Sequence, residues 1–139
     1  STRVRSSAAS DVYKRQLLIV VMYDKDKRWI YMLMEIYLSE EKAKKNNIDL
    51  NECYQKIDKY FKSRGVEIVS KGIYKGVKKD FDTFVIAQGQ LPQTKWFLKV
   101  VDQWYISYFG DTPDSPEYRE DALRCYYEVE KRNNGFFRK

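Results

Sequence analysis

The chain has 139 residues, 43% hydrophobic, 33% charged and 16% aromatic, with a formal net charge of +6. That length suits one domain with a core that needs no disulfide or metal staple, and the apolar fraction is too high for a disordered chain. Histidine is absent, which excludes Ser-His-Asp and Cys-His catalysis, imidazole zinc sites and histidine proton transfer. Cys53 and Cys125 are too few for a disulfide framework or a four-cysteine zinc site, and are expected as reduced core residues of a cytoplasmic protein. No stretch approaches the ~18 apolar residues of a membrane span, so no membrane partner is expected.

Residues 1–16 show no amphipathic period. The string Asp11-Val12-Tyr13-Lys14-Arg15-Gln16 resembles translated sequencing-adapter read-through of the kind found in metagenomic assemblies. An ordinary disordered tail and an Arg- and Ser-rich presequence are the alternatives. The segment carries four basic and one acidic side chain, so half of the formal charge sits there, and 22 basic face 19 acidic residues in the rest. Leu17-Leu18-Ile19-Val20-Val21 reads either as a leading strand or as sequence upstream of a start at Met22. Residues 1–21 are therefore expected as a non-native or disordered head.

From Trp29 to Leu38 the residues alternate. Ile30, Met32, Met34, Ile36 and Leu38 form an aliphatic face suited to helices, while Trp29, Tyr31, Leu33, Glu35 and Tyr37 form an amphipathic one. Ser39-Glu40-Glu41 starts a short helical turn that ends in the polar run to Asn47. Asp49 with Glu52 three residues on is an N-terminal cap signal, and Leu50, Cys53, Tyr54, Ile57, Tyr60 and Phe61 make a single helical stripe. Arg64-Gly65 ends that helix. Val66–Ser70 and Ile73–Val77 read as a hairpin around Lys71-Gly72. Residues 80–91 fit a helix capped by Asp80, yet Phe84-Val85-Ile86 has strand propensity and Gly89 weakens a helix by about 1 kcal/mol. Residues 96–109 are equally two-sided: Trp96, Val100, Trp104 and Tyr108 have helical spacing, while Trp104, Ile106 and Tyr108 alternate. Ser115-Pro116-Glu117 is a helix start, and Tyr118, Ala122, Leu123, Tyr126 and Val129 form the stripe of a last helix that Asn133-Asn134-Gly135 should end.

Cys53-Tyr54-Gln55-Lys56-Ile57, Arg64-Gly65-Val66-Glu67, Gly72-Ile73-Tyr74 and Trp96-Phe97 together resemble the virulence-associated protein D (VapD) family. The spacings from Gly65 to Tyr74 and from Tyr74 to Trp96 match that pattern without gaps, and the likeness covers about residues 29–111. The resemblance implies an α+β, ferredoxin-like β-α-β-β-α-β domain, over residues 22–111, followed by a C-terminal helical extension over 112–139. It makes 80–91 the second helix and about 103–109 the fourth strand. It also implies a homodimer, metal-dependent endoribonuclease activity of toxin type, an RNA substrate and a small antitoxin protein as partner. Four positions depart from the family. Its first-strand aspartate falls on Ile36, with Glu35 one residue away on the opposite face; its hairpin serine falls on Gly72; its last-strand basic residues fall on Asp102 and Tyr105.

Glu35 is the catalytic and metal-ligand candidate. In a two-fold dimer two copies would hold one Mg2+ or Mn2+ through carboxylate oxygens and water. Asp24 competes if residues 17–24 are the first strand, and an exposed or salt-bridged Glu35 on an open sheet face is the plain alternative. Lys56, Lys59, Lys62, Lys71, Lys75, Lys78 and Lys79 offer phosphate contacts, diluted by Glu52, Asp58, Asp80 and Asp82. Tyr31, Tyr37, Tyr74, Trp104 and Tyr105 offer rings for stacking, or fill a core or dimer interface. The substrate-binding set is Lys71, Tyr74, Lys75, Lys78 and Lys79. The odd-numbered face of the first strand is expected to be covered, by a symmetric partner or by the last helix. Two functions follow: a metal-dependent endoribonuclease, or a non-catalytic dimeric module binding RNA or protein.

Overall fold

Strand β1, Tyr31–Leu38, shows the expected alternation: Met32, Met34 and Ile36 are fully buried, and Tyr31, Leu33, Glu35 and Tyr37 are half-buried on the other side. The computed structural model describes residues 31–110, 116 and 118–137, with the backbone alone over 132–137. Trp29, Ile30, Asp24, the segment 17–21, the head, Ser115 and Glu117 lie outside the described residues.

Helix α1, Glu40–Lys45, is capped by the Ser39 hydroxyl, which accepts from the Lys42 N–H. Helix α2, Leu50–Ser63, is capped by the Asp49 carboxylate, which accepts from the N–H groups of Asn51 and Glu52. Its stripe buries Cys53, Ile57 and Phe61. Gly65, at φ +77°, follows the C-cap residue Arg64, as a left-handed exit requires. Strands β2, Glu67–Ser70, and β3, Ile73–Gly76, pair antiparallel across a turn through Gly72. Gly72 has φ +80°, and a Cβ there would lie 2.3 Å from the Ile36 carbonyl oxygen. Its own carbonyl accepts from the Ile36 N–H at 2.8 Å. Only glycine satisfies both conditions.

Helix α3, Phe81–Gln90, settles the first ambiguity. It buries Phe84, Val85, Ala87 and Gln88 and leaves Ile86 44% exposed. A strand would have put Phe84, Ile86 and Gln88 on one face, so the burial follows the helical period despite the β-branched run. Asp80 is 6% exposed, and its carboxylate accepts from the Val77 N–H, closing the turn that precedes the helix. A single helical turn, α4 (Phe97–Val100), leads into β4, Val101–Phe109. Trp96 is the N-cap residue of that turn and Phe97 its first residue; Phe97 is fully buried, its ring in a T-shaped contact with Trp104.

The C-terminal part departs from expectation. Tyr118–Asp121 is not the first turn of a helix but strand β5, antiparallel to β4 with Tyr118 opposite Tyr108 and Asp121 opposite Tyr105. The unpaired edge of β4 offers main-chain partners that the Ser115-Pro116-Glu117 signal could not foresee. Helix α5, Ala122–Phe137, starts four residues later than Tyr118, with the Asp121 carboxylate accepting from the Arg124 N–H. It runs through Asn133-Asn134-Gly135, which lower helix propensity without ending the helix. Strand β5 joins the sheet and Ala122 belongs to the main core.

The sheet order is β2-β3-β1-β4-β5, all pairs antiparallel. Its first four strands have the ferredoxin-like arrangement, with the β1–β2 and β3–β4 connections carrying the helices, and β5 adds a fifth strand. The core lies between the sheet and the helices. Phe61 stacks on Tyr74 at 4.3 Å and meets Phe84 at 5.4 Å, while Trp104 fills the β4 side. Cys53 and Cys125 are buried free thiols. None of the described helices is long and apolar enough to cross a membrane.

Candidate functional site

One sheet face carries the helices; the other carries the odd-numbered residues of β1. Cross-strand partners share a face, so the register fixes what stands beside Glu35. Ile73 lies opposite it on β3 and Tyr105 on β4. Leu33 lies between Lys75 and Ser107, Tyr31 is opposite Phe109, and Arg119 of β5 is opposite Ser107. The face therefore carries Tyr31, Tyr37 and Tyr105 together with the acids Glu35, Glu67 and Asp121 and the cations Lys75 and Arg119.

The cations sit on rings. Lys75 Nζ is 4.5 Å from the Tyr31 ring centroid, and the Arg119 guanidinium carbon is 4.2 Å from that of Tyr105. Tyr31 stacks in turn on Phe109, with centroids 4.6 Å apart. The Tyr37 hydroxyl donates to Glu35 Oε2 at 2.6 Å, and Arg119 reaches Glu35 Oε1 at 3.7 Å. That hydrogen bond, with burial and the charge of Glu35, pushes the Tyr37 phenol up to about 12, so it stays a donor at neutral pH. With the Arg119 side chain half-exposed, the ion pair contributes at most about 1 kcal/mol. Glu35 is thus the salt-bridged residue of the plain alternative, with its side chain 16% exposed.

A divalent metal does not fit Glu35 within one chain. Mg2+ seeks about six hard oxygen ligands, whereas the neighbours across both strands are Ile73 and Tyr105, and a guanidinium already lies within 4 Å of the carboxylate. Among the described residues no group of three or more acids or cysteines could hold a metal.

The substrate-binding set is divided. Tyr74 is on the helical face, fully buried, its hydroxyl donating to Asp58; burial and that bond hold its proton far above the ordinary phenol range. It cannot stack on a base. Trp104 is equally buried. Residue type groups both with Tyr31, Tyr37 and Tyr105, but even and odd positions of a strand point to opposite sides. Lys71 is exposed at the hairpin turn, where it donates to Asn51 Oδ1 and lies 4.8 Å from the Tyr54 ring centroid. Lys78 and Lys79 are exposed beyond the other end of β3. Lys75 alone of the set stands on the open face beside Glu35's strand.

Arg119 and the Tyr37–Glu35 pair were missed. Tyr118-Arg119-Glu120-Asp121 is too short and too charged to announce a strand, and only its place in the sheet brings Arg119 to Glu35. On the helical side, a groove of about 210 Å³ is lined by Lys56, Tyr60, Leu91, Thr94 and Trp96 among others. Lys56 Nζ lies 5.7 Å from the Trp96 ring centroid. The groove lining contains no acid. No protein-family model, no curated protein and no solved structure matches this chain.

Proposed function

We propose that this protein is an RNA-binding module that works as a homodimer and uses the open face of its ferredoxin-like sheet. The observation that carries the reading is the pair of cation-on-ring contacts, Lys75 over Tyr31 and Arg119 over Tyr105, on the two sides of Glu35. Such a surface suits single-stranded RNA: cations take phosphates, tyrosine rings take unpaired bases, and a carboxylate accepts from base amino groups. Glu35 also repels phosphate, so it favours a base edge at its own position.

A metal-dependent endoribonuclease of toxin type is the second reading, and one observation favours it. Glu35 stands mid-face, where a bound strand would pass over it. Within one chain the strand partners of Glu35 are Ile73 and Tyr105, so Mg2+ or Mn2+ would need Glu35 from two protomers, and a small antitoxin protein would then be the natural partner. The test is binding of a fluorescent single-stranded RNA with and without Mg2+ or Mn2+, sedimentation being followed in parallel. Wild type is expected to bind as a dimer, with affinity falling steeply with salt. Glu35→Gln keeps an acceptor for Tyr37 and is expected to bind within about threefold of wild type or tighter, the RNA staying intact in both. Metal-dependent cleavage that Glu35→Gln abolishes would establish the second reading. Absence of binding at low salt would remove both.

A further inference from the structure

A second polar group lies on the helical face, where β5 and α5 join the core. Glu120 of β5 is 6% exposed and Gln88 of α3 is 1% exposed. Gln88 Nε2 donates to Glu120 Oε2 at 3.5 Å. The two remaining oxygens, Gln88 Oε1 and Glu120 Oε1, are buried with no hydrogen-bond partner among the described residues. Both are acceptors when Glu120 is ionised, so neither can serve the other, and each has lost its water. One proton resolves this. Placed on Glu120 Oε1, it makes that atom a donor to Gln88 Oε1, and the acid and the amide then each give and accept one hydrogen bond.

We infer that Glu120 is a neutral carboxylic acid paired with the Gln88 carboxamide, and that its ionisation loosens β5 and α5 from the sheet, a pH-operated latch on the C-terminal unit. The groups facing Glu120 agree. Tyr108 of β4 presents a phenol that burial and Glu120 itself push upward. Cys125 of α5 hydrogen-bonds the carboxyl, Tyr118 and Asp121 flank it on β5, and Gln88 comes from α3. Arg119, the cation that adjoins it on β5, faces the other side of the sheet, towards Glu35. Burial raises the Glu120 carboxyl above its ordinary range and Asp121 adds to the rise, while the Cys125 and Gln88 hydrogen bonds oppose it. A raised carboxyl favours the closed latch fully below the value of the released chain, about 4.3, and loses that advantage as pH climbs through the closed-state value. Release would uncover the β4 edge and, because Arg119 rides on the same strand, would withdraw the guanidinium from Glu35.

Amide hydrogen exchange of the full chain between pH 4 and 9, corrected for intrinsic rates, tests the latch, with residues 118–129 read against residues 32–36 of β1. In wild type, relative protection of 118–129 is expected to fall by about tenfold per pH unit once the pH passes the released-state value, levelling off above the closed-state value. Glu120→Gln replaces the neutral acid by a neutral amide that can make the same two-way pair, so its protection is expected to stay at the acid level throughout. The Glu120 carboxyl carbon shift, followed by NMR in wild type, is expected to keep its neutral position well above pH 4.3. A flat wild-type profile, a Glu120→Gln profile that falls like wild type or stays low at every pH, or a carboxyl that ionises in the ordinary range would each overturn the inference.

Discussion

Trp104→Ala is expected to cost about 3–5 kcal/mol, a large part of the ~5–15 kcal/mol that holds a domain of this size. Trp104 has no exposed surface, and its ring meets the edge of Phe97 at 5.0 Å inside the main core. Truncation removes one of the largest fully buried side chains, from a position boxed in by neighbours on both sides of β4. The sheet behind it cannot collapse into the void, since β4 is pinned between β1 and β5. Its sequence neighbour is the control. Tyr105 faces the other way, half-buried beneath the Arg119 guanidinium, and Tyr105→Ala should cost no more than about 1.5 kcal/mol. Urea unfolding of the two variants at constant m-value makes the comparison. Equal losses would mean that the two faces of β4 have been assigned wrongly.

The double reversal Lys75→Glu with Arg119→Glu is expected to lower single-stranded RNA affinity at least thirtyfold near 0.1 M salt, and to flatten the dependence of log affinity on log salt by about 1.4, two phosphate contacts at roughly 0.7 each. The cations stand on opposite sides of β1, one above Tyr31 and one above Tyr105, so a strand lying across the face would meet both. Arg119→Glu also sets a second carboxylate near Glu35, which adds repulsion to the lost attraction. Thermal stability should change little, since the affected ion pair is partly exposed. Reversal of Lys78 and Lys79, beyond the end of β3, is the control and should weaken binding less than fivefold. An equal effect from both pairs would mean that RNA follows net charge and not the open face, and the functional reading would fall with it.

What the residues determined by themselves were the local decisions. The alternation of Met32, Met34 and Ile36 against Leu33, Glu35 and Tyr37 makes β1 a two-faced strand wherever it is placed. The Asp49 cap, the Cys53–Ile57–Phe61 stripe and the left-handed Gly65 delimit α2, because each acts within one or two turns of the chain. Gly72 was legible as a turn, although its closeness to the Ile36 carbonyl was not. The absence of histidine fixed which chemistry was out of reach.

Tertiary structure decided everything that depends on a distant partner. Residues 81–90 carry both strand and helix propensity, and they became helix because Phe84, Val85, Ala87 and Gln88 meet the sheet together. Tyr118–Asp121 carries a helix-start signal just before it and became a strand because the edge of β4 was there to pair with. The site follows the same rule. Glu35 was visible as a lone acid in an apolar strand, but its partners Tyr37 and Arg119, and the separation of Tyr74 from Tyr105 by the thickness of the sheet, come from pairing register. Caps, stripes and turns are energies of a few adjacent residues and are therefore written locally; register and facing are energies between strands up to 84 positions apart, as Glu35 and Arg119 are, and only the folded sheet sets them.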